Sequence, residues 1–127
     1  MVTIYPFWDP SVGPTAKPEE FEAPHGGFFV VYLGQTPVAC GGFKRLDDRT
    51  AEVKRMYVAP PERGKGIARR MLDRLEEEAR RAGYRFIRLD TGDRQPEALS
   101  LYRSAGYGEI PDYNQNPAAS YWFEKPL

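Results

Sequence analysis

The order of apolar and polar positions divides the chain into a strand-rich first part and a second part in which helices and strands alternate. Apolar runs rich in β-forming residues occupy 28–33, 38–46 and 51–58, and short turns separate them. Such a series predicts three strands joined as an antiparallel meander. A glycine pair at 41–42 interrupts the second run, and a β-bulge is expected there.

After residue 66 the apolar positions follow a helical period. The predicted helix ends before Gly83, and one stripe of it is apolar: Ile67, Ala68, Met71, Leu72, Leu75, Ala79 and Ala82. On the opposite face, Glu76 stands four residues before Arg80, and Glu77 stands four residues before Arg81. This is the spacing of ion pairs on a helix surface, so both glutamates are predicted to be exposed.

A strand over 85–90 follows the helix and should run parallel to the third strand, because a crossover helix connects the two. Pro96 opens a second, shorter helix that Gly106 ends. Runs at 107–110 and 120–125 predict a final pair of strands around a polar loop. The predicted fold class is α/β, with an α+β mixed sheet in which a parallel β-α-β unit follows the antiparallel meander.

The first 25 residues contain five prolines, which predict an extended, irregular segment without a helix of normal length. Its aromatic residues are expected to hold it against the body of the protein or against a partner chain: Tyr5, Phe7, Trp8 and Phe21. A length of 127 residues suits one hydrophobic core, so residues 1–127 are predicted to form a single domain.

Composition argues against several classes of protein. Lys and Arg together number 18, as do Asp and Glu, so the chain lacks the basic excess typical of proteins that bind nucleic acid or anionic membranes. His25 and Cys40 are the only residues of their types, so neither an internal disulfide nor a metal site is expected. No apolar run approaches the roughly 20 residues of a membrane span, and no signal-peptide pattern opens the sequence. A soluble, cytoplasmic protein is expected.

The most informative segment is the basic, glycine-rich turn at 63–70, Arg-Gly-Lys-Gly-Ile-Ala-Arg-Arg, between a strand and a helix. Four cations cluster at the N-terminus of the predicted helix: Arg63, Lys65, Arg69 and Arg70. Each is unfavourable there by roughly 0.3–1 kcal/mol, and an anion bound to the N–H groups would reverse this balance. Gly64 and Gly66 would let a phosphate approach the backbone. The turn predicts a phosphate site; the competing interpretation is a solvated turn whose glycines only provide geometry.

Two known phosphate-binding motifs fit this turn poorly. A P-loop requires Ser or Thr after its lysine, but Gly66 follows Lys65. A dinucleotide-binding G-x-G-x-x-G would begin at Gly64 and place Arg69 at the third glycine position, although Asp90 stands near the position of the ribose-binding acid. Because three antiparallel strands precede the turn, a dinucleotide-binding domain is kept only as a lesser alternative.

A third motif fits better. The turn at 63–68, Arg-x-x-Gly-x-Ala, resembles the [QR]-x-x-G-x-[GA] loop of the GNAT superfamily of acyl-CoA-dependent N-acyltransferases. The stretch 51–58 resembles the fourth strand of that superfamily, and 95–107 resembles its A-x-x-L-Y-x-x-x-G-[YF] helix. Residues 123–127 resemble the end of a bacterial subgroup of small acetyltransferases. The resemblance covers about residues 27–127 and implies a GNAT-like fold with splayed central strands and with N-terminal helices shortened or absent.

The resemblance implies acetyl-CoA as a co-substrate, no metal, and a set of binding residues. The CoA pyrophosphate would lie on the backbone of one turn, with Arg69 nearby: Arg63, Gly64, Lys65, Gly66, Ile67 and Ala68. The pantetheine arm would pair, like an added strand, with Met56, Tyr57 and Val58, where a bulge would splay this strand from the next parallel one and leave a slot for the thioester. The N–H of Val58 would face the thioester oxygen and stabilise the oxyanion, and Gln95 would bind the cofactor arm.

In such enzymes a neutral primary amine attacks the thioester directly, without a covalent enzyme intermediate. Tyr102 matches the residue that binds beside the cofactor and reprotonates the CoA thiolate, and Glu52 is the candidate base, acting directly or through water. Each has a plainer interpretation: Tyr102 packs against its helix neighbours, and Glu52 is an exposed strand residue paired with Lys44 or Lys54. Four polar residues of the last loop are further candidates for contacting the acceptor: Asp112, Tyr113, Asn114 and Asn116.

The expected function is therefore an N-acetyltransferase acting on a small-molecule or peptide amine. The N-terminal helices that usually wall the acceptor site are not evident, and three explanations stay open: the partner subunit of a homodimer completes the wall, the site is unusually open, or the chain is shortened. A non-catalytic acyl-CoA-binding or sensing module is the alternative from another functional class.

Overall fold

A computed structural model of the chain describes residues 2–6, 18–93 and 96–127. Within these ranges the strands are β1 (Val2–Pro6), β2 (Gly27–Leu33), β3 (Thr36–Arg45), β4 (Thr50–Val58), β5 (Phe86–Thr91), β6 (Gly108–Ile110) and β7 (Tyr121–Pro126). The helices are α1 (Ile67–Arg81) and α2 (Pro96–Ser104), with short 3-10 turns at Pro18–Phe21 and Pro60–Glu62. All seven described strands form one sheet in the order β1-β2-β3-β4-β5-β7-β6.

The strand pairing confirms the mixed sheet predicted from the sequence. Strands β2, β3 and β4 form an antiparallel meander, and β5 joins β4 in parallel after the α1 crossover. The last two strands pair with each other as predicted, and β7 also lies antiparallel to β5. Helix α1 ends as its sequence indicates: Gly83 has φ 98°, and the N–H groups of Gly83 and Tyr84 bond back to Arg80 and Ala79.

The N-terminal segment is more regular than its prolines suggested. Its first residues form β1, antiparallel to β2, with Val2 opposite Leu33 and Pro6 opposite Phe29. The prediction of an irregular segment is therefore wrong for these residues, because a proline is tolerated in an edge strand and here ends it. Of the four aromatic anchors, Phe21 is buried and meets Phe28 edge to face at 5.7 Å between ring centroids; the side chains of the other three lie outside the described residues.

Two apolar clusters cover the two faces of the sheet. Alternate residues of β2 divide between them: Phe29 and Val31 belong to the main core, and Phe28 and Val30 to a smaller cluster. Most of the apolar stripe of α1 packs in the main core, where Met71, Leu72 and Leu75 are fully buried, whereas Ala82 at the end of the helix is exposed. The opposite face of β4 and β5 is covered mainly by polar side chains, and that face holds the candidate site described below.

One ion pair of α1 differs from its prediction. Glu77 does pair with Arg81, at 3.2 Å. Glu76, predicted to be exposed and paired with Arg80, is instead buried. Its carboxylate accepts hydrogen bonds from the Tyr107 hydroxyl at 2.8 Å and the Lys125 ammonium at 2.7 Å. The prediction fails because Glu76 borders the apolar stripe, and its partners come from distant parts of the chain.

Candidate active site

Strands β4 and β5 separate in the middle of the sheet. They pair in parallel only from Thr50 to Glu52 on β4, opposite Phe86 to Arg88 on β5. Beyond these residues β4 continues beside β3, and β5 continues beside β7. The gap that opens between the two strands, called here the cleft, agrees with the splayed central strands that the resemblance implies.

A β-bulge lies in β4 beside the cleft. Cys40 faces Tyr57 and Gly42 faces Lys54, so two residues of β4 oppose the single residue Gly41. The bulge faces the glycine pair that signalled it in the sequence, and its extra residue belongs to β4, the strand where the resemblance implies a bulge. Arg55, the first bulged residue, has φ 60°, a left-handed conformation uncommon for arginine. Bulges increase local twist, which helps to turn the end of β4 away from β5.

The backbone of β4 presents an N–H group to the cleft. The N–H of Ala59 donates to Val38 on β3 at 2.8 Å, and Val58 faces Ala39 in the next register position. Because the polar groups of an antiparallel strand alternate in direction, those of Val58 point away from β3 and into the cleft. The Val58 carbonyl there accepts a hydrogen bond from Arg63 Nε at 2.9 Å. This direction is the one that an oxyanion donor at Val58 requires.

The turn after β4 has the geometry of an anion site. Gly64 and Gly66 both have left-handed backbones, with φ 78° and 80°. Gly66 is the N-cap of α1, and no side chain caps this helix end, so the first N–H groups of α1 have no intrahelical acceptor. The nearby cations are partly engaged: Lys65 pairs with Glu62 at 3.0 Å, and the Arg63 guanidinium lies 5.6 Å from the centroid of the Tyr57 ring. The backbone N–H groups at this helix end are available to a phosphate, and they fit the pyrophosphate of CoA.

Replacing Gly66 by alanine tests whether the left-handed turn is needed. A Cβ at Gly66 meets no atom within 4 Å, so the substitution costs only backbone strain, and we expect Gly66→Ala to lose about 1–2 kcal/mol of unfolding free energy. Chemical denaturation measures this loss. Gly108→Ala is the matched control, because its Cβ also meets nothing and its backbone is not left-handed; an equal loss in both variants would contradict the interpretation.

Glu52 is buried beside the point where β4 and β5 separate. Its side chain is 3% exposed and accepts hydrogen bonds from the Tyr113 hydroxyl at 2.5 Å and from Asn114 Nδ2 at 3.2 Å. The ammonium groups of Lys54 and Lys44 lie 3.7 and 3.9 Å from its oxygens. The plainer interpretation of Glu52, an exposed residue paired with Lys44 or Lys54, was right about both lysines. It was wrong about exposure, because the loop between β6 and β7 folds over the face of the sheet that carries Glu52.

That loop also reaches the opposite wall of the cleft. Asn114 Nδ2 donates to Asp90 on β5 as well as to Glu52, and Asn114 Oδ1 accepts from Trp122 Nε1 at 2.9 Å. Asp90 further accepts from Asn116 Nδ2 at 3.3 Å and pairs with Lys54 at 3.4 Å. The sequence named these loop residues only as acceptor contacts and Asp90 only as a ribose-binding acid. The structure places them together across the cleft.

Tyr113 completes the polar cover of Glu52. Its pKa is raised by burial and by the hydrogen bond to the Glu52 carboxylate, so it remains a donor at neutral pH. The Arg88 guanidinium lies 5.1 Å from the centroid of its ring and pairs with Glu124 at 2.9 Å. Asp112 does not enter this cluster; it accepts the N–H groups of Asn114 and Gln115 and so shapes the loop.

Tyr102 lies on α2 with its ring buried between other aromatic rings. Its ring is 6.0 Å from that of Tyr107 and 5.9 Å from that of Phe123, so its aromatic contacts come from residues outside α2. No described residue bonds its hydroxyl, and no fully buried polar side-chain atom of the described ranges lacks a partner, so the hydroxyl reaches solvent. Burial, and then the charge of Asp90, raise the pKa of Tyr102 to about 12. Tyr102 therefore carries its proton at neutral pH.

The other predicted site residues lie at the end of β4, in the first turn of α1, or outside the described residues. Met56 is half-buried against the main core, and Tyr57 is more than half exposed. Arg69, in the first turn of α1, pairs with Asp73 at 3.2 Å. Gln95 lies outside the described residues.

Comparison with known families decides the kind of protein. The model of the acetyltransferase (GNAT) family matches residues 2–107. The chain belongs to the GNAT family. It is 40% identical over 104 residues to an IAA acetyltransferase of Azospirillum brasilense, an alignment that covers 79% of this chain and 67% of that relative.

Solved GNAT structures have the same fold. An acyl-CoA N-acyltransferase from Klebsiella pneumoniae superposes with a TM-score of 0.81 at 25% identity, covering 100% of this chain and 98% of that one. A GNAT acetyltransferase from Elizabethkingia anophelis with acetyl-CoA bound superposes with a TM-score of 0.75 at 17% identity, covering 99% and 98%. Because the family model and the 40% identical relative both identify acetyltransferases, this GNAT chain is an acetyl-CoA-dependent acyltransferase, and the dinucleotide-binding alternative is wrong.

Two other observations bear on the site. Within residues 2–6, 18–93 and 96–127, no three or more His, Cys, Asp or Glu side chains are arranged to hold a metal ion. In the same part of the chain, no helix has the length and apolar character needed to cross a membrane.

Proposed function

We propose that this protein transfers the acetyl group of acetyl-CoA directly onto a primary amine, in a ternary complex and without an acetylated intermediate. Acetyl-CoA supplies the activated acetyl group. The observation that carries the proposal is the cleft itself, which has the buried carboxylate Glu52 at its closed end and the inward N–H of Val58 on one wall. The acceptor is a small-molecule or peptide amine.

Backbone groups of this chain hold the co-substrate in the proposal. The uncapped N–H groups from Arg63 to Ala68 take the pyrophosphate, with Arg69 beside them. The free edge of β4 at Met56, Tyr57 and Val58 pairs with the pantetheine arm, and the amide of Gln95 bonds the same arm. Support comes from the left-handed glycines and from the end of β4–β5 pairing at Glu52, which leaves that edge of β4 open.

Side chains carry the two proton transfers. Glu52 takes a proton from the ammonium form of the acceptor, directly or through water, since an ammonium has no lone pair for attack. The N–H of Val58 stabilises the oxyanion as the tetrahedral centre forms. Tyr102 then gives its proton to the departing thiolate, a role supported by its solvent-reaching hydroxyl, which carries its proton at neutral pH. The loop from β6 to β7 covers the acceptor side of Glu52, so one wall of the acceptor site comes from this chain.

The first test is thermal unfolding with saturating acetyl-CoA, desacetyl CoA or NAD. A ligand at 100 times its dissociation constant adds about 2.7 kcal/mol to the unfolding free energy. We expect both CoA species to raise the melting temperature by several degrees and NAD to leave it unchanged. Release of CoA thiol that depends on an added primary amine then measures transfer.

Two outcomes would contradict the proposal. If neither CoA species stabilises the protein, the proposed co-substrate site is wrong. If CoA stabilises the protein but no amine causes thiol release, in a panel that includes polyamines, amino acids and peptides, the proposed transfer to an amine is wrong. Mass spectrometry of the quenched reaction would detect an acetylated intermediate, and its appearance and decay at the rate of turnover would contradict direct transfer.

A further inference from the structure

Lys54 places a primary ammonium inside the cleft. Its Nζ is 3.4 Å from Asp90 Oδ2 and 3.7 Å from Glu52 Oε2, so it spans from β4 to β5 beyond the last paired residues. Its side chain is only 15% exposed and is held by carboxylates from both walls. A primary ammonium beside the proposed base, in the gap that receives the thioester, is in the position of an acceptor.

We propose that Lys54 accepts an acetyl group from acetyl-CoA bound to its own chain, so that Lys54 is a site of self-acetylation. The inference rests on the proposed function, since it uses the same co-substrate and the same base. Along β4, Lys54 lies between Glu52 and Val58, and the bulge at Arg55 shortens the path to Val58. Strand geometry puts Lys54 and Val58 within about 13 Å between Cα atoms, and the flexible four-carbon stem of lysine covers part of that distance.

The step balances without any additional reactant. Glu52 removes one proton from the Lys54 ammonium, and the freed lone pair forms the N–C bond to the acetyl carbon as the C–S bond breaks. Tyr102 protonates the thiolate, and the second nitrogen proton restores the Tyr102 hydroxyl. The products are an uncharged amide, free CoA thiol and one proton on Glu52 that passes to solvent. An amide does not return its acetyl group to an amine, so acetylated Lys54 is an end product and not an intermediate of transfer.

Lys44 is a matched internal comparison. Its side chain is 18% exposed, similar to Lys54, and its Nζ is 3.9 Å from the same Glu52 carboxylate. However, Lys44 lies on β3 and pairs with Glu20 at 2.9 Å, on the side of β4 away from the cleft. Proximity to Glu52 and burial are therefore almost the same for the two lysines, and only the position relative to the cleft differs.

The experiment incubates the purified full chain with acetyl-CoA and no amine, then follows intact mass and maps acetylated peptides. We expect one acetyl group per chain at Lys54, formed at a rate that does not depend on protein concentration, with Lys44 and the exposed Lys65 at least about 10-fold slower. Lys54→Arg should abolish this acetyl group while keeping stabilisation by desacetyl CoA. Lys44→Arg should keep it, and Glu52→Gln should slow it by about 100-fold.

Several results would overturn the inference. Acetylation spread equally over Lys44, Lys54 and Lys65 would indicate unassisted chemical reaction, and a rate proportional to protein concentration would indicate transfer between chains. If the protein binds acetyl-CoA and acetylates an added amine but Lys54 stays unmodified, self-acetylation is wrong and the proposed function stands. If Lys54 stays unmodified and CoA does not stabilise the protein, both self-acetylation and the proposed function are wrong.

Discussion

Replacing Tyr102 by phenylalanine is expected to lower kcat about 100-fold, because a positioned acid contributes about that factor or more to a proton transfer. Stability should change little. The ring is only 8% exposed and keeps its contacts with Tyr107 and Phe123, and the lost hydroxyl bonds no described residue. Steady-state kinetics with an accepted amine, together with thermal unfolding with and without acetyl-CoA, measure both effects. The shift caused by acetyl-CoA should persist.

Tyr107→Phe is the matched control for this variant, because Tyr107 is a buried neighbour of Tyr102 whose hydroxyl has a structural partner. Removing its hydrogen bond to Glu76 should cost about 1–2 kcal/mol of unfolding free energy and leave kcat unchanged. The two variants thus predict opposite signatures. If the kcat of Tyr102→Phe is within twofold of the wild-type value, Tyr102 is not the acid, and water protonates the thiolate.

The pKa of Tyr102 also predicts the form of the pH–rate profile. An acid must carry its proton to act, and a pKa of about 12 keeps Tyr102 protonated through neutral and moderately alkaline pH. Loss of activity through ionisation of Tyr102 therefore begins only as the pH approaches that value.

The parts of the fold that were predictable from sequence are those fixed by local pattern. The three runs of the meander and the stripe of α1 each show their period within a short window, and Gly83 supplies the left-handed helix end. The signal for the proposed anion site was equally local, since Gly64 and Gly66 stand directly before the helix that they open. These features depend on neighbours in the chain, and a single sequence contains that information.

Features that depend on distant contacts were missed. Asn114 meets Asp90 and Glu52, which lie 24 and 62 residues earlier in the chain. Nothing in the polar loop at 111–120 indicates that it would cover a carboxylate on the fourth strand. Strand β1 was missed because its five residues end in proline, and its pairing with β2 supplies the stability that local propensity does not.

The β-bulge was signalled by a glycine on one strand and lies on the neighbouring strand, where the family resemblance also implied a bulge. Gly41 gave the signal, and the residue that adopts the left-handed backbone is Arg55 on the neighbouring strand. An added Cβ at Gly41 would approach Met56 Cγ to 3.2 Å, a tight contact, so the glycine leaves room for the bulged residue. A glycine in one strand can therefore report an irregularity of its partner.

Glu76 shows most clearly how a surface pattern can conceal a buried charge. Its spacing from Arg80 suits a helix ion pair, yet its side chain is 6% exposed and its partners are Tyr107 and Lys125. Lys125 lies on β7, and its ammonium is also 5.7 Å from the centroid of the Tyr107 ring. One carboxylate therefore joins the helix that opens with the anion site, the turn that follows Tyr102, and the strand that pairs with β5.

Glu76→Ala is expected to lower the unfolding free energy by about 3 kcal/mol, at the lower end of the range for breaking a buried ion pair because Lys125 is partly accessible to water. For a chain of this size the melting temperature should fall by roughly 10 °C. Glu77→Ala is the control on the same helix. Glu77 pairs with Arg80 and Arg81 on the surface, and its loss should cost less than about 0.5 kcal/mol.

The loss of unfolding free energy in Glu76→Ala shows whether this carboxylate fixes three elements to one another or only makes an incidental contact. If the Lys125 ammonium turns to solvent when its partner is removed and water satisfies the Tyr107 hydroxyl, Glu76→Ala and Glu77→Ala will lose similar, small amounts of stability. A loss several times larger in Glu76→Ala means that α1, the segment after α2 and β7 are fixed to one another through this carboxylate. The turn that opens α1 and the hydroxyl of Tyr102 are then held in a fixed relative position. Glu76→Ala should in that case also bind acetyl-CoA more weakly at temperatures where the variant is still folded.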